Sequence, residues 1–320
     1  MSTTAFLFPG QGSQFIGMGR DLFDEFPAAR EYFERADARL GFPLTEKMFG
    51  TDGAVHDAAE GLTQTDVTQP ALYVHSLAAT GVLKEGGLDP DMLAGHSLGE
   101  YSALAASGAI DFEEGLDLVR MRGRLMAKAG ERRPGRMAAV LGMPDEDVHQ
   151  VCIDATDEPV SIVEIANWNS PGQVVISGDP DAVDRAMNLA KARGAKRVVP
   201  LPVSGAFHSP LMEDAREGLA EALLGTDIRT PACPVYLNVT AAFTVDPEEI
   251  RQRLLEQLTA PVRWSEIIRR MNADGADRFI EVGAGNVLSG LVKRTLGRDV
   301  VTFTAGRADE LRALAIQSAS

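Results

Sequence analysis

Cysteine is scarce in this chain. Only Cys152 and Cys233 occur among 320 residues, too few for a disulfide scaffold. Both thiols read as small buried hydrophobes, with redox chemistry as the lesser alternative. No run of roughly 18 uninterrupted apolar residues exists, so no membrane partner is expected. An excess of positive charge is missing too. Lys and Arg number 31 against 46 Asp and Glu, a formal net charge of −15. An acidic chain repels phosphate, which argues against nucleic acid as the main partner. Neither H-E-x-x-H nor a paired-cysteine spacing is present, so no metal site is expected. Met1 to Pro9 carries no positive charge and reads as a strand, so no secretory leader is expected there. Few cysteines and no export signal fit a reducing cytoplasm.

What is present is globular. Hydrophobic residues make up 45% and charged residues 24%, enough apolar side chain to offset chain entropy. Patterning predicts a strand at 4–8, a helix at 21–40, a short helix within 41–70 and a helix at 69–83. A strand at 91–96 and helices at 98–107 and 113–129 follow. Strand, loop and helix in alternation argue for an α/β domain with a mostly parallel sheet. Residues 130–136 look like a linker. Beyond it come a strand (137–141), helix (145–155), two strands (160–167, 173–177), a helix (180–193) and a strand (197–201). That βαββαβ order is the ferredoxin-like signature. From 202 the larger domain resumes, with a helix at 210–224, a strand at 235–238, a helix at 247–258 and a strand at 278–282. The expected division is therefore 1–129, an inserted 130–201, and 202–320.

Gly95-His96-Ser97-Leu98-Gly99 matches G-x-S-x-G. It follows a short apolar strand and precedes a helix, the setting a nucleophile elbow needs. Such a turn lifts the Ser97 hydroxyl off the sheet and aims the Leu98 N–H at a developing oxyanion. A chance Gly/Ser turn is the bland alternative. A serine nucleophile needs a base. Of the five histidines, His75 falls within a helix, and His56 and His149 sit among charged residues. His96 adjoins Ser97 and should point away across the turn. His208 lies in a loop after a strand, where catalytic side chains tend to sit; it is favoured as base, with His96 second.

On a helical projection of 113–129, Leu118, Val119, Leu125 and Met126 share one face. Asp117, Arg120, Arg124 and Lys128 share the other. Arg122 falls near the middle of the apolar face. A buried guanidinium without a partner is costly. Two readings stay open: an internal salt bridge, or bidentate capture of a substrate carboxylate. A serine acyl-enzyme with a carboxylate clamp points to a dicarboxylic acyl group. Basic residues also cluster, at Arg120, Arg124, Lys128, Arg132, Arg133 and Arg136. Further runs are Lys191, Arg193, Lys196 and Arg197, then Lys293, Arg294 and Arg298. They read either as solvated faces or as docking points for an anionic partner, such as nucleotide phosphates or an acidic carrier protein.

Several motifs occur together in order: Phe8-Pro9-Gly10-Gln11-Gly12-Ser13-Gln14, Gly95-His96-Ser97-Leu98-Gly99-Glu100, Arg122-Gly123, Asn167-Trp168-Asn169-Ser170-Pro171-Gly172-Gln173, Ala206-Phe207-His208-Ser209-Pro210 and Glu281-Val282-Gly283-Ala284-Gly285. On these, almost end to end, the chain resembles the malonyl-CoA:acyl carrier protein transacylases, acyltransferases of fatty-acid and polyketide synthesis. The resemblance implies an α/β-hydrolase-like domain with an inserted ferredoxin-like subdomain. It implies ping-pong transfer from malonyl-CoA to the phosphopantetheine thiol of acyl carrier protein, with no cofactor. Ser97 would be the nucleophile and His208 the base, with the oxyanion between the Gln11 and Leu98 N–H groups. Arg122 would hold the malonyl carboxylate, Asn167 would line the channel, and a backbone carbonyl, that of Gln257, would orient His208. An aromatic at Phe207 resembles the malonyl-selective pattern, though the ring could merely pack. Trp168 departs from the usual Tyr or Phe; its effect is expected to be small, a narrowing of the channel at most. A polyketide carrier protein and a serine acyl hydrolase remain as alternatives.

Overall fold

The computed structural model describes residues 2–50, 61–203 and 205–318. His56, considered above, lies outside the described residues. The chain opens with β1 (Thr4–Phe8), buried along its whole length. Helices α1 (Arg20–Glu25), α2 (Pro27–Leu40), α3 (Leu44–Phe49) and α4 (Thr65–Glu85) follow, then β2 (Met92–Gly95), α5 (Gly99–Ala106) and α6 (Phe112–Arg132). The helix expected at 21–40 is two helices. Phe26 is extended and Pro27 takes the first turn of α2, because a residue before proline is pushed out of the helical region.

The inserted unit comprises β3 (Arg136–Leu141), α7 (Asp145–Ala155), β4 (Val163–Ser170), β5 (Gln173–Gly178), α8 (Pro180–Ala192) and β6 (Arg197–Pro200). Its antiparallel sheet runs β4-β5-β3-β6, the strand order of a ferredoxin-like fold. The segment 130–136 is mostly not a linker. Ala129 and Gly130 are buried, and α6 continues to Arg132, so only 133–135 connect the two units.

The chain then returns through a 3₁₀ turn (Pro210–Met212) to α9 (Glu213–Leu224), β7 (Val235–Tyr236), β8 (Phe243–Thr244), α10 (Pro247–Glu256) and α11 (Trp264–Ala273). It closes with β9 (Arg278–Glu281), α12 (Val287–Leu296), β10 (Val301–Thr304) and α13 (Ala308–Ser318). The main sheet is ordered β10-β9-β1-β2-β7-β8. Its strands are parallel except for the β7–β8 hairpin. Strand β1 is central, with β2 on one side and β9 on the other. Loops at the carboxyl ends of β1 and β2 therefore face a common crevice, where open α/β sheets place their ligands. Glu281 ends β9 and accepts from the Leu288 and Ser289 N–H groups, capping α12. That gives the Glu281 motif a structural role.

Candidate active site

The elbow forms because its two glycines leave room for it. A Cβ on Gly95 would lie 1.8 Å from the Gly99 carbonyl carbon, and one on Gly99 would lie 2.1 Å from the Phe8 carbonyl oxygen. Strand β2 can therefore turn into α5 hard against β1. Between them Ser97 is held at φ +53°, a left-handed conformation that costs a non-glycine residue on the order of 1–3 kcal/mol.

The Ser97 hydroxyl lies 2.8 Å from His208 Nε2. His208 Nδ1 lies 2.8 Å from the carbonyl oxygen of Gln257. A carbonyl can only accept, so Nδ1 carries the proton and Nε2 is free to accept from serine. Burial, and secondarily the Arg122 charge, lowers the His208 pKa to about 3. The imidazole is thus neutral and competent as a base.

Arg122 is 1% exposed. Its Nη2 donates to Ser97 Oγ and to Gln257 Oε1, each at 3.0 Å, and its Nη1 donates to Gln69 Oε1 at 2.9 Å. The Tyr101 ring lies 5.6 Å from the guanidinium carbon. These hydrogen-bond partners are all neutral, and the buried Nε has none among the described residues. Burial pushes the neighbouring Glu100 carboxyl up to about 8, so it offers little countercharge. Among the described residues no carboxylate pairs with Arg122, and its hydrogen bonds go to neutral groups instead.

A cavity of about 110 Å³ is lined by Ser97, His208, Arg122, Gln11, Leu98, Asn167 and Phe207, among others. Gln257 sits behind it, fully buried. Among the described residues the Gln11 and Leu98 N–H groups have no hydrogen-bond partner. His96 does not serve Ser97: its Nε2 donates to Asn169 Oδ1 at 2.8 Å. His75 is buried, with Nε2 2.9 Å from the Gly306 oxygen, and His149 is exposed on α7. Trp168 faces away from the chamber. Strand alternation turns Asn167 and Asn169 one way and Trp168 the other, where it lines an outer cavity with His149 and Cys152. It does not narrow the chamber. Burial pushes the Cys152 thiol up to about 12 and that of Cys233 up to about 11, which makes both poor nucleophiles.

Gln69, Glu100 and Asn238 were not singled out from sequence. Gln69 lies on α4 and meets Arg122 only through helix packing. Asn238 follows β7 and meets the elbow only through sheet pairing. Glu100 is part of the quoted Gly95–Glu100 motif, but nothing local signals its partner.

A serine on a strand–helix elbow, hydrogen-bonded to a histidine from a distant loop, has the geometry of a serine acyl-transfer site on an α/β-hydrolase-like sheet. Residues 5–310 match the acyl transferase domain family, and the chain belongs to that family. The malonyl CoA-acyl carrier protein transacylase of Bacillus subtilis is 47% identical over 318 residues, covering 99% of this chain and 98% of the relative. That of Escherichia coli is 42% identical over 316 residues, covering 98% of each. The crystal structure of an acyl carrier protein S-malonyltransferase from Vibrio cholerae superposes with a TM-score of 0.91 at 42% identity, over 98% of this chain and 100% of that one. A malonyl-transacylase solved with a type II polyketide acyl carrier protein gives 0.92 at 38% identity, over 99% and 100%. Among the described residues no helix is long and apolar enough to cross a membrane.

Proposed function

We propose that this enzyme transfers a malonyl group from malonyl-CoA to the phosphopantetheine thiol of acyl carrier protein through a malonyl ester on Ser97. The observation that carries the reading is the Arg122 guanidinium, buried among neutral partners 3.0 Å from the Ser97 hydroxyl. In that position it can clamp a carboxylate while the thioester carbon meets the nucleophile.

His208 takes the Ser97 proton as Oγ attacks the thioester carbonyl. The oxyanion is stabilised by the Gln11 and Leu98 N–H groups. Collapse expels the CoA thiolate, which His208 protonates. The incoming pantetheine thiol then gives its proton to His208 and attacks the ester, releasing Ser97. The Gln257 carbonyl keeps the His208 tautomer fixed throughout. Phe207, walling the chamber, disfavours a branch at the malonyl C2. A second cleft of about 780 Å³ shares Gln11 and Val203 with the chamber and has Arg124 and Lys128 on its wall. It suits the pantetheine arm of either substrate.

In this reading residues 1–129 and 202–320 carry nucleophile, base and clamp, and the 130–201 insertion supplies Asn167 over the chamber. An acidic carrier protein docks on the lysine and arginine clusters. Several of those arginines are engaged by this chain's own acids, Arg132 with Asp214, Arg133 with Asp179 and Arg193 with Asp154. Arg124, Lys128, Lys191, Lys196 and Arg197 are exposed and offer the docking charge. The reaction is placed in the cytoplasm, in keeping with two free cysteines. Fatty-acid synthesis is the primary setting. A polyketide carrier is the second, favoured by the likeness to a transacylase solved with such a carrier.

Intact-protein mass spectrometry after brief exposure to malonyl-CoA tests the reading. A malonyl-sized adduct is expected on the wild type and not on Ser97→Ala, discharged by added holo carrier protein. Rapid release of free CoA without an adduct would favour a hydrolase instead.

A further inference from the structure

We propose that Asn238 is a positioning residue for the nucleophile, a carboxamide clamp that holds the Ser97 elbow in its left-handed conformation and aims the following peptide into the chamber. Asn238 is fully buried. Its Oδ1 accepts from the Ser97 N–H at 2.7 Å, and its Nδ2 donates to the Gly95 carbonyl at 2.7 Å. One side chain thus satisfies the two backbone groups that flank His96 in the turn. Gly95 ends β2, the Ser97 N–H falls between that strand and α5, and a buried unmet peptide group is costly.

The clamp is itself held on several sides. The Asn238 N–H donates to Glu100 Oε2 at 2.7 Å, and its carbonyl accepts from the Arg263 N–H at 3.0 Å. Gln257 Nε2 donates to Asn238 Oδ1 at 3.3 Å and to the Ser97 carbonyl at 3.0 Å. Sheet register explains the placement. Leu93 pairs with Val235 and Ala94 with Tyr236, so two residues further on Asn238 comes level with His96.

Two consequences follow chemically. The Ser97 N–H is committed to Asn238, so the Leu98 N–H is the elbow donor left for an oxyanion. The same network reaches His208 through the Gln257 carbonyl and Arg122 through the Gln257 side chain. Nucleophile, base and guanidinium therefore share one buried frame. Asn238 touches none of the reacting atoms and acts through Ser97. The inference rests on the acyl-serine reading above.

The test compares the full chain with Asn238→Ala and Asn238→Asp. Two rates are read: labelling of Ser97 by a fluorophosphonate, and acylation by malonyl-CoA followed by rapid-quench mass spectrometry. Asn238→Ala is expected to slow both by about 10²-fold, the scale of a misplaced reacting group. Asn238→Asp keeps the acceptor for the Ser97 N–H but, when ionised, offers Gly95 no donor. Protonation restores one. Its deficit relative to wild type should therefore shrink from about pH 9 to about pH 5.5, whereas that of the alanine variant should not. The charged or titratable groups around the position are Glu100, Arg122, His208 and Arg263, all present in each variant. Labelling of Asn238→Ala at the wild-type rate would overturn the proposal, as would an aspartate deficit that does not change with pH. A wild-type chain that takes the fluorophosphonate but not malonyl would overturn the acyl donor instead, and the labelling rates would still decide the role of Asn238.

Discussion

At the residue scale, the proposed chemistry depends on two groups that the interior would ordinarily reject. A buried neutral histidine and a buried cation lie on either side of one hydroxyl. The histidine is acceptable because burial removes its proton and the Gln257 carbonyl receives its Nδ1–H. The cation is held by amide and hydroxyl oxygens, which solvate it without cancelling its charge. A malonyl carboxylate entering the chamber would supply that missing charge. Truncating one member of such a buried, hydrogen-bonded charge pair costs about 2–5 kcal/mol. Arg122→Ala should therefore lower malonyl acylation by about 10²-fold or more while sparing some acylation from acetyl-CoA. Equal losses on the two donors, measured side by side, would refute the clamp.

At the scale of elements, the elbow is a packing solution as much as a catalytic one. The β2–α5 turn presses against β1, with the Gly99 Cα facing the Phe8 carbonyl. Any side chain there must push strand and helix apart. Gly99→Ala is expected to destabilise the fold by about 3 kcal/mol, at the upper end of overpacking, and to abolish Ser97 labelling even where the chain stays folded. Urea denaturation and fluorophosphonate labelling check the two halves, and a stable, reactive variant would contradict the steric account. The insertion is fastened at element level too. Val262 N–H donates to the Ala166 carbonyl, and Trp168 N–H donates to that of Val262. Strand β4 is thereby stitched to the larger unit beside Asn167, which holds that side chain over the chamber.

At the scale of the whole molecule, buried histidines are expected to cost stability in acid. His75 is fully buried, its Nε2 on the Gly306 carbonyl and its Nδ1 without a partner among the described residues. Burial lowers its pKa from 6.5 to about 4. The unfolded chain binds the proton more readily between those values, so the contribution is complete above about pH 6.5 and is lost as pH falls toward 4. That loss is worth about 3 kcal/mol by pH 4, and His208 acts in the same direction. Melting temperatures from pH 7.5 to 4.5 should fall less steeply for His75→Gln than for the wild type. Parallel curves would show that His75 is not the sensitive group.

Much of the site is local and was therefore readable from sequence. The G-x-S-x-G elbow lies within five residues, and α6 carries its buried arginine as a visible break in an apolar stripe. The ferredoxin-like insertion announced itself by element order alone. Other features depend on distant packing. The neutral partners of Arg122 came into view only when α4 brought Gln69 and the segment after α10 brought Gln257 to the guanidinium. Trp168 and Asn167 were separated by strand alternation, which placed one in an outer cavity and the other in the chamber. Asn238 carries no signal in its own neighbourhood, because its role comes from the β2–β7 register. Sequence by itself determined which groups could do chemistry, since reactivity and helical or strand period are properties of short stretches. The tertiary structure decided which of them share one buried, hydrogen-bonded frame, since burial and direction arise only where distant segments meet.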